Sequence, residues 1–351
     1  MLKKFIFSLC IGILLTGCQT ESAPSQEPEA QVQSSFDKYS TQIFAMDTVM
    51  DLSVFAENDD VLEDAAALVT KLEKQLSTTD EDSEIYHLNK ERTVSLSDDT
   101  ATLTARALDL CAETKGALDL SIYPVVRAWG FTTDSYQVPS EEELHALLPY
   151  VDYTQIDFSK EDKTISLPEH MEIDLGSIAK GFTGDKLVEL FREQGITSAL
   201  LNLGGNVQAL GSKPDGTPWK IGIKDPKGDD YLGVLAISDL AVITSGGYER
   251  YFEDEEGNIY WHIIDPETGY PAKNGLISAT AVGPEGTYCD ALSTSLFIMG
   301  PDKAVQFWKD HQDFEMILVT DNGEVLLSSG LEDSFVLTEN SPYTMTVISN
   351  D

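Results

Sequence analysis

The chain has 351 residues, 42% apolar and 24% charged, a composition that excludes collagen-like repeats and wholesale disorder. It carries 60 Asp and Glu against 23 Lys and Arg, for a net charge of −37. Such a surface repels phosphate backbones and argues against nucleic acid as a partner, so each cation inside a dense motif becomes informative.

At the N-terminus, Lys3 and Lys4 precede an apolar run over residues 5–15 and the tetrad Leu15-Thr16-Gly17-Cys18. A basic start, a short apolar stretch and a small residue before a break have the form of a secretory signal, too short for a comfortable membrane span. The tetrad is similar to a bacterial lipobox, which implies removal of residues 1–17 and diacylation of Cys18. Residues 18–38 are rich in Gln, Ser, Glu and Pro and are expected to be a disordered tether, because they bury too little surface to offset their ordering entropy. Residues 39–351 form the expected folded body. There, Cys111 and Cys289 are too few and too far apart for a disulfide framework or a zinc site.

Apolar residues at helical spacing predict helices over 61–76 and 103–114, the second stopped by Gly116. Ser140 followed by Glu143 is a capping-box signature before Leu144, and 178–194 should be a helix ending at Gly195. Strands are expected over 198–203, 220–223, 235–244, 259–264 and 276–282. Residues 316–320 and 324–328 flank Asp321-Asn322-Gly323, a hairpin signal. No internal repeat or second linker is visible, and one continuous α+β body is the simplest reading.

Common catalytic templates fail. Gly176 and Gly181 have the spacing of a P-loop, but the next residue is Phe182 and not Lys. No dinucleotide-binding glycine fingerprint, G-x-S-x-G elbow or H-E-x-x-H zinc motif is present, and the five histidines are scattered. What remains are four glycine-punctuated stretches in which polar residues sit among apolar ones. They are Gly116-Ala117-Leu118-Asp119 running to Trp129-Gly130-Phe131; Asp174 to Gly181 with Asp185; Thr244 to Tyr251 leading to His262-Ile263-Ile264-Asp265-Pro266; and Cys289-Asp290-Ala291-Leu292-Ser293-Thr294.

In this order and spacing, from Met46 to about Gly300, the stretches resemble the ApbE family of FAD:protein FMN transferases. Two departures stand out: Met46-Asp47-Thr48 replaces the family's usual Met-Gly-Thr, and Cys289 replaces a frequent Ala. The resemblance implies one α+β body with mixed and antiparallel sheets flanked by helices. It also implies FAD as substrate, Mg²⁺ as cofactor, and transfer of FMN to a Thr hydroxyl of an acceptor flavoprotein with AMP leaving. The implied acceptors are membrane-bound redox subunits or extracytoplasmic FMN-binding domains, met on the outer face of the cell membrane.

By match to the family pattern, Asp290, Thr294 and a carbonyl at Ser177 would hold the metal; Asp290 and Thr294 lie i and i+4 on one helical face. Met46, Thr79, Ala117, Leu118, Asp119, Asp174, Lys180 and Ile264 would contact FAD. Asp119 and Asp174 also read as local caps, and Met46 and Ile264 also read as core. Thr244 and Ser245 offer hydroxyls to phosphate, and Arg250 either holds a phosphate or pairs with a carboxylate. His262 reads either as the base, with an unperturbed pKa close to neutrality, or as a hydrogen-bonded core residue. A metal-dependent FAD pyrophosphatase and a non-catalytic FAD-binding lipoprotein stay open as alternatives; Asp290, Thr294 and Lys180 favour an enzyme.

Overall fold

The computed structural model describes residues 36–133 and 135–350. The expected signal, Cys18 and most of the tether lie outside the described residues. The first strand begins at Asp37, slightly ahead of the expected start of the body. No helix among the described residues is long and apolar enough to cross a membrane.

A nine-stranded sheet forms the centre. In spatial order its strands are Asp37–Ala45, Thr48–Ala56, Ala199–Leu203, Asn206–Leu210, Ala241–Gly246, Leu276–Gly283, Glu315–Thr320, Glu324–Ser328 and Thr344–Ile348. Every neighbouring pair is antiparallel except the last, which is parallel. Among the described residues seven α-helices accompany it: α1 (Asp60–Leu76), α2 (Glu84–Glu91), α3 (Asp98–Glu113), α4 (Tyr123–Ala128), α5 (Glu141–Leu147), α6 (Gly176–Glu193) and α7 (Gly286–His311).

The central strands are covered on both faces, which is why they read as near-continuous apolar runs. Ile243, Ala279, Ala281, Met316 and Leu318 point into a core shared with α3, α6 and α7. Their alternates Val242, Val282, Ile317 and Val319 point into a second core. A three-stranded sheet of Phe335–Leu337, Tyr231–Ile237 and Trp219–Lys224 closes that second face with Trp219, Ile221 and Leu235.

Most expected elements occur. Gly116 ends the α3 region at φ 83°, and the Ser140 side chain accepts the Glu143 N–H at 3.2 Å. The helix expected over 178–194 starts slightly earlier, at Gly176. The Asp321-Asn322-Gly323 hairpin forms with Gly323 at φ 91°. One expectation is corrected. The run 235–244 is not one strand but two, ending at Ile237 and restarting at Ala241 in a different sheet. Asp239 makes the break at φ 53°, and its carboxylate accepts the Gly211 N–H at 2.8 Å. Apolar residues on both sides of that turn hid it, since each half is buried in the same second core.

Candidate active site

Two of the polar stretches, residues 174–185 and 289–294, meet where α6 crosses α7. The chain enters α6 through a pinned segment. Asn89 of α2 donates to the Ile173 carbonyl at 2.9 Å and accepts the Ile173 N–H at 2.8 Å, and Arg92 donates to the Met171 carbonyl. Asp174 follows directly, and its Oδ1 accepts the Gly176 N–H at 2.9 Å as the helix begins. Its reading as a local cap is therefore met.

Gly181 and Gly286 face each other at the crossing. A methyl group on Gly181 would overlap the Gly286 carbonyl and crowd the Asp290 side chain. Glycine inside a helix costs about 1 kcal/mol relative to alanine, and here it lets the two backbones touch. The Gly181 N–H, which a regular helix commits to the Ser177 carbonyl, reaches Asp290 Oδ2 at 2.8 Å.

Asp290 is buried at 5% exposure. Burial pushes its pKa up, while the Lys180 charge, the Gly181 N–H and the nearby Asn206 amide pull it back. Asn206 is itself buried, and its Nδ2 completes no hydrogen bond of acceptable geometry. Asp174 behaves alike: burial raises its pKa, and the Gly176 and Leu175 N–H groups with the charges of Lys180 and Arg250 oppose that. Lys180 is thus the electrostatic centre, acting on Asp290, Asp174 and His262. Among the described residues its ammonium has no hydrogen bond or ion pair of its own.

The end of strand Ala241–Gly246 supplies the next wall. Ser245 Oγ lies 2.8 Å from Ser293 Oγ and 3.2 Å from Thr294 Oγ1 of α7. Thr244 alternates to the other face of the sheet, where its hydroxyl pairs with Thr280 at 2.8 Å. The structure therefore brings Ser245 to the junction and leaves the Thr244 side chain outside it.

His262 follows a short strand, Ile259–Trp261, paired with Tyr251–Glu253; the expected strand over 259–264 stops there, and Ile264 pairs again only through a bridge to Pro271. Its Nδ1 lies 3.2 Å from the Arg250 carbonyl. A carbonyl only accepts, so Nδ1 carries the proton and Nε2 keeps a free lone pair. Phe131 packs edge-on against the ring at 6.3 Å. Burial lowers the imidazole pKa to about 4, with the Arg250 and Lys180 charges adding to the effect and the Arg250 carbonyl opposing it. The sequence-based premise of a base titrating near neutrality is corrected: the surroundings of His262 hold its pKa below that range. Arg250 makes no salt bridge among the described residues; its guanidinium donates to the Phe131 carbonyl.

Other expected contacts lie around this junction. Met46 and Asp47 form the turn between the first two strands at φ 50° and 58°, a conformation that Asp tolerates, so the missing glycine is accommodated. The Met46 N–H donates to Glu73 at 2.7 Å, and its sulfur lies 3.8 Å from the Thr183 hydroxyl of α6. Leu118 and Ile264 are buried in core clusters, and Ala117 is half-buried beside Leu118. Asp119 is engaged locally: Oδ1 accepts from Ser121 N–H and hydroxyl at 2.9 and 2.6 Å, and Oδ2 from Tyr153 N–H at 3.1 Å. Burial nevertheless raises its pKa. Thr79 lines a neighbouring cleft of about 450 Å³ with Lys90, Arg92, Arg127 and Glu172, the last paired with Arg127.

Sequence reasoning missed Asn89, Asn206 and Gln208. The signal was present for the last two, which are polar at alternate, inward positions of strand Asn206–Leu210.

Among the described residues no group of three or more His, Cys, Asp or Glu is placed to hold a metal ion. The oxygens at the junction still fit Mg²⁺, which takes one or two carboxylates and completes its shell with water and substrate phosphate. The buried Asp290 carboxylate and the orphaned Asn206 amide beside it are the observations that favour a bound polar group here.

Fold and site together define an α+β protein with a junction, set between Lys180 and Arg250, suited to a phosphate-bearing ligand. The ApbE family profile matches residues 46–318, and the chain belongs to the ApbE family. It is 32% identical to an FAD:protein FMN transferase of Haemophilus influenzae over 92% of this chain and 95% of that one. A second FAD:protein FMN transferase, from Treponema pallidum, is 33% identical over 79% and 82%. The ApbE protein of Thermotoga maritima superposes with a TM-score of 0.80 at 31% identity, covering 85% of this chain and 99% of that one. The flavin transferase ApbE of Vibrio cholerae gives 0.74 at 26%, over 86% and 97%. A histidine mutant of that protein has also been solved.

Proposed function

We propose that this protein transfers FMN from FAD to a Thr hydroxyl of an acceptor flavoprotein, forming a phosphodiester and releasing AMP. Family membership and the activity of its relatives support flavin transfer. The observation that carries the site is Lys180, set among Asp174, Asp290 and His262 without a hydrogen-bonded partner of its own. An ammonium so placed in a chain of net charge −37 is suited to a pyrophosphate.

In the proposed step the Thr oxygen attacks the FMN-side phosphorus and the bond from that phosphorus to the bridging oxygen breaks. AMP leaves with the bridging oxygen. The Thr proton passes to His262 Nε2, which the Arg250 carbonyl holds in the accepting tautomer. Lys180 orients the pyrophosphate, and Ser245 and Thr294 bring hydroxyls to the same wall. Asp290, Thr294 and the Ser177 carbonyl would hold Mg²⁺, which when bound neutralises charge on the phosphate oxygens.

The lipobox-like tetrad ending in Cys18 supports a lipid-anchored protein on the extracytoplasmic face, serving membrane-bound redox subunits or FMN-binding domains. Incubation with FAD, Mg²⁺ and a flavin-acceptor domain, followed by intact-mass measurement, tests the reading. A gain of one FMN on the acceptor is expected. Free FMN and AMP without that gain would make the protein an FAD pyrophosphatase, and tight FAD binding with no product would make it a binder.

A further inference from the structure

We propose that Asp185 is a positioning residue, which clamps α7 to α6 and so fixes where Asp290 and Thr294 meet the substrate; this rests on the flavin-transfer reading of the site. The first N–H groups of a helix have no partner within it. The residue preceding α7, Glu285, makes no side-chain cap bond. The cap comes instead from α6, about a hundred residues earlier in the chain. Asp185 Oδ1 accepts the Gly286 N–H at 2.6 Å, and Oδ2 accepts the Thr287 N–H at 2.7 Å and the Thr287 hydroxyl at 2.6 Å. Gln208 of the central sheet donates to Asp185 Oδ1 at 2.9 Å and holds the carboxylate in place.

The register gives this clamp its meaning. Gly181 bonds Asp290, and Asp185 bonds Gly286, so the two links lie one helical turn apart on each helix. Between them the glycine backbones are in contact, with no room for a methyl group on either. Sliding α7 along α6 would break both links at once. Asp185 thus sets the depth of Asp290 relative to Lys180 and the Ser177 carbonyl, acting as an outer residue that orients a ligand.

The test compares the full chain with its Asp185→Asn and Thr287→Val variants in three measurements. They are FMN transfer against Mg²⁺ concentration, Mn²⁺ binding by electron paramagnetic resonance on FAD-loaded protein, and thermal melting. Asp185→Asn should stay folded with a lower melting temperature, lose roughly 10–100-fold in kcat, and bind Mn²⁺ about tenfold more weakly. KM for FAD should hold. Thr287→Val, which deletes one of the four bonds, should move the same quantities by less. A lowered melting temperature with kcat and Mn²⁺ affinity unchanged would make Asp185 a stability cap only and overturn the proposal. If Asp185→Asn does not fold, wild-type Mn²⁺ affinity in Thr287→Val overturns it equally. A wild type that releases FMN without labelling the acceptor would sink the transfer reading alone, and the clamp would then be read on FMN release.

Discussion

The two faces of the central sheet are built for different purposes. On one, Val242, Val282 and Val319 meet Trp219, Ile221 and Leu235 in an apolar layer with no demand beyond volume. On the other, the same strands deliver Ser245, Asn206 and Gln208 to a crossing where two helices touch through glycine. The apolar face tolerates repacking, because volume and pattern suffice. The polar face holds a buried carboxylate that burial disfavours, and a directional bond from the Gly181 N–H fixes it in place. The first face therefore carries packing alone, while the second carries the chemistry together with the larger core.

The sharpest break in this contrast is Asp290→Ala, expected to reduce FMN transfer by about 10³-fold while thermal melting stays cooperative. Its loss leaves the Gly181 N–H without its acceptor, so the melting temperature should drop while the transition stays cooperative. Full activity across a Mg²⁺ titration would show that the carboxylate is not at the reacting centre.

His262→Gln should cost about 10²-fold, toward the low end for a general base, because an imidazole with a pKa near 4 accepts a proton with little driving force. The wild-type rate should hold below pH 6 and fall only as the low imidazole pKa is approached. Stability follows the same group. In the unfolded chain His262 takes a proton near the ordinary 6.5, in the fold only near 4, so the unfolded state binds more protons between these values. Stability falls as pH drops through that window, and denaturant melts of wild type and His262→Gln should differ there and agree at pH 8. An acidic limb at pH 6.5 that survives His262→Gln would assign it to another group.

On the opposite face, Leu235→Ala should lower unfolding free energy by about 2–5 kcal/mol in urea melts, with kcat of the folded fraction unchanged. A selective loss of kcat would mean that the two faces are coupled. The smallest effect on turnover belongs to Cys18→Ala: activity in vitro should match wild type, while membrane fractionation should find the protein released. Continued tight membrane association would end the lipid-anchor proposal.

What the sequence determined by itself was local. Helix periods, the Ser140 cap, the Asp321-Asn322-Gly323 hairpin and the shared face of Asp290 and Thr294 are set within a few residues, where the backbone repeat decides the outcome. The family-like motifs also named most of the residues that gather at the α6–α7 crossing. Tertiary structure decided the rest, because partners distant in sequence leave no local trace. It split 235–244 between two sheets, turned Thr244 away while keeping Ser245, and gave Asp119 to a turn of its own. It also made Asp185 the cap of a helix in another part of the chain and drove the His262 pKa far below its free value. A cap, a facing and a pKa depend on what lies across a contact, and only the folded chain supplies that.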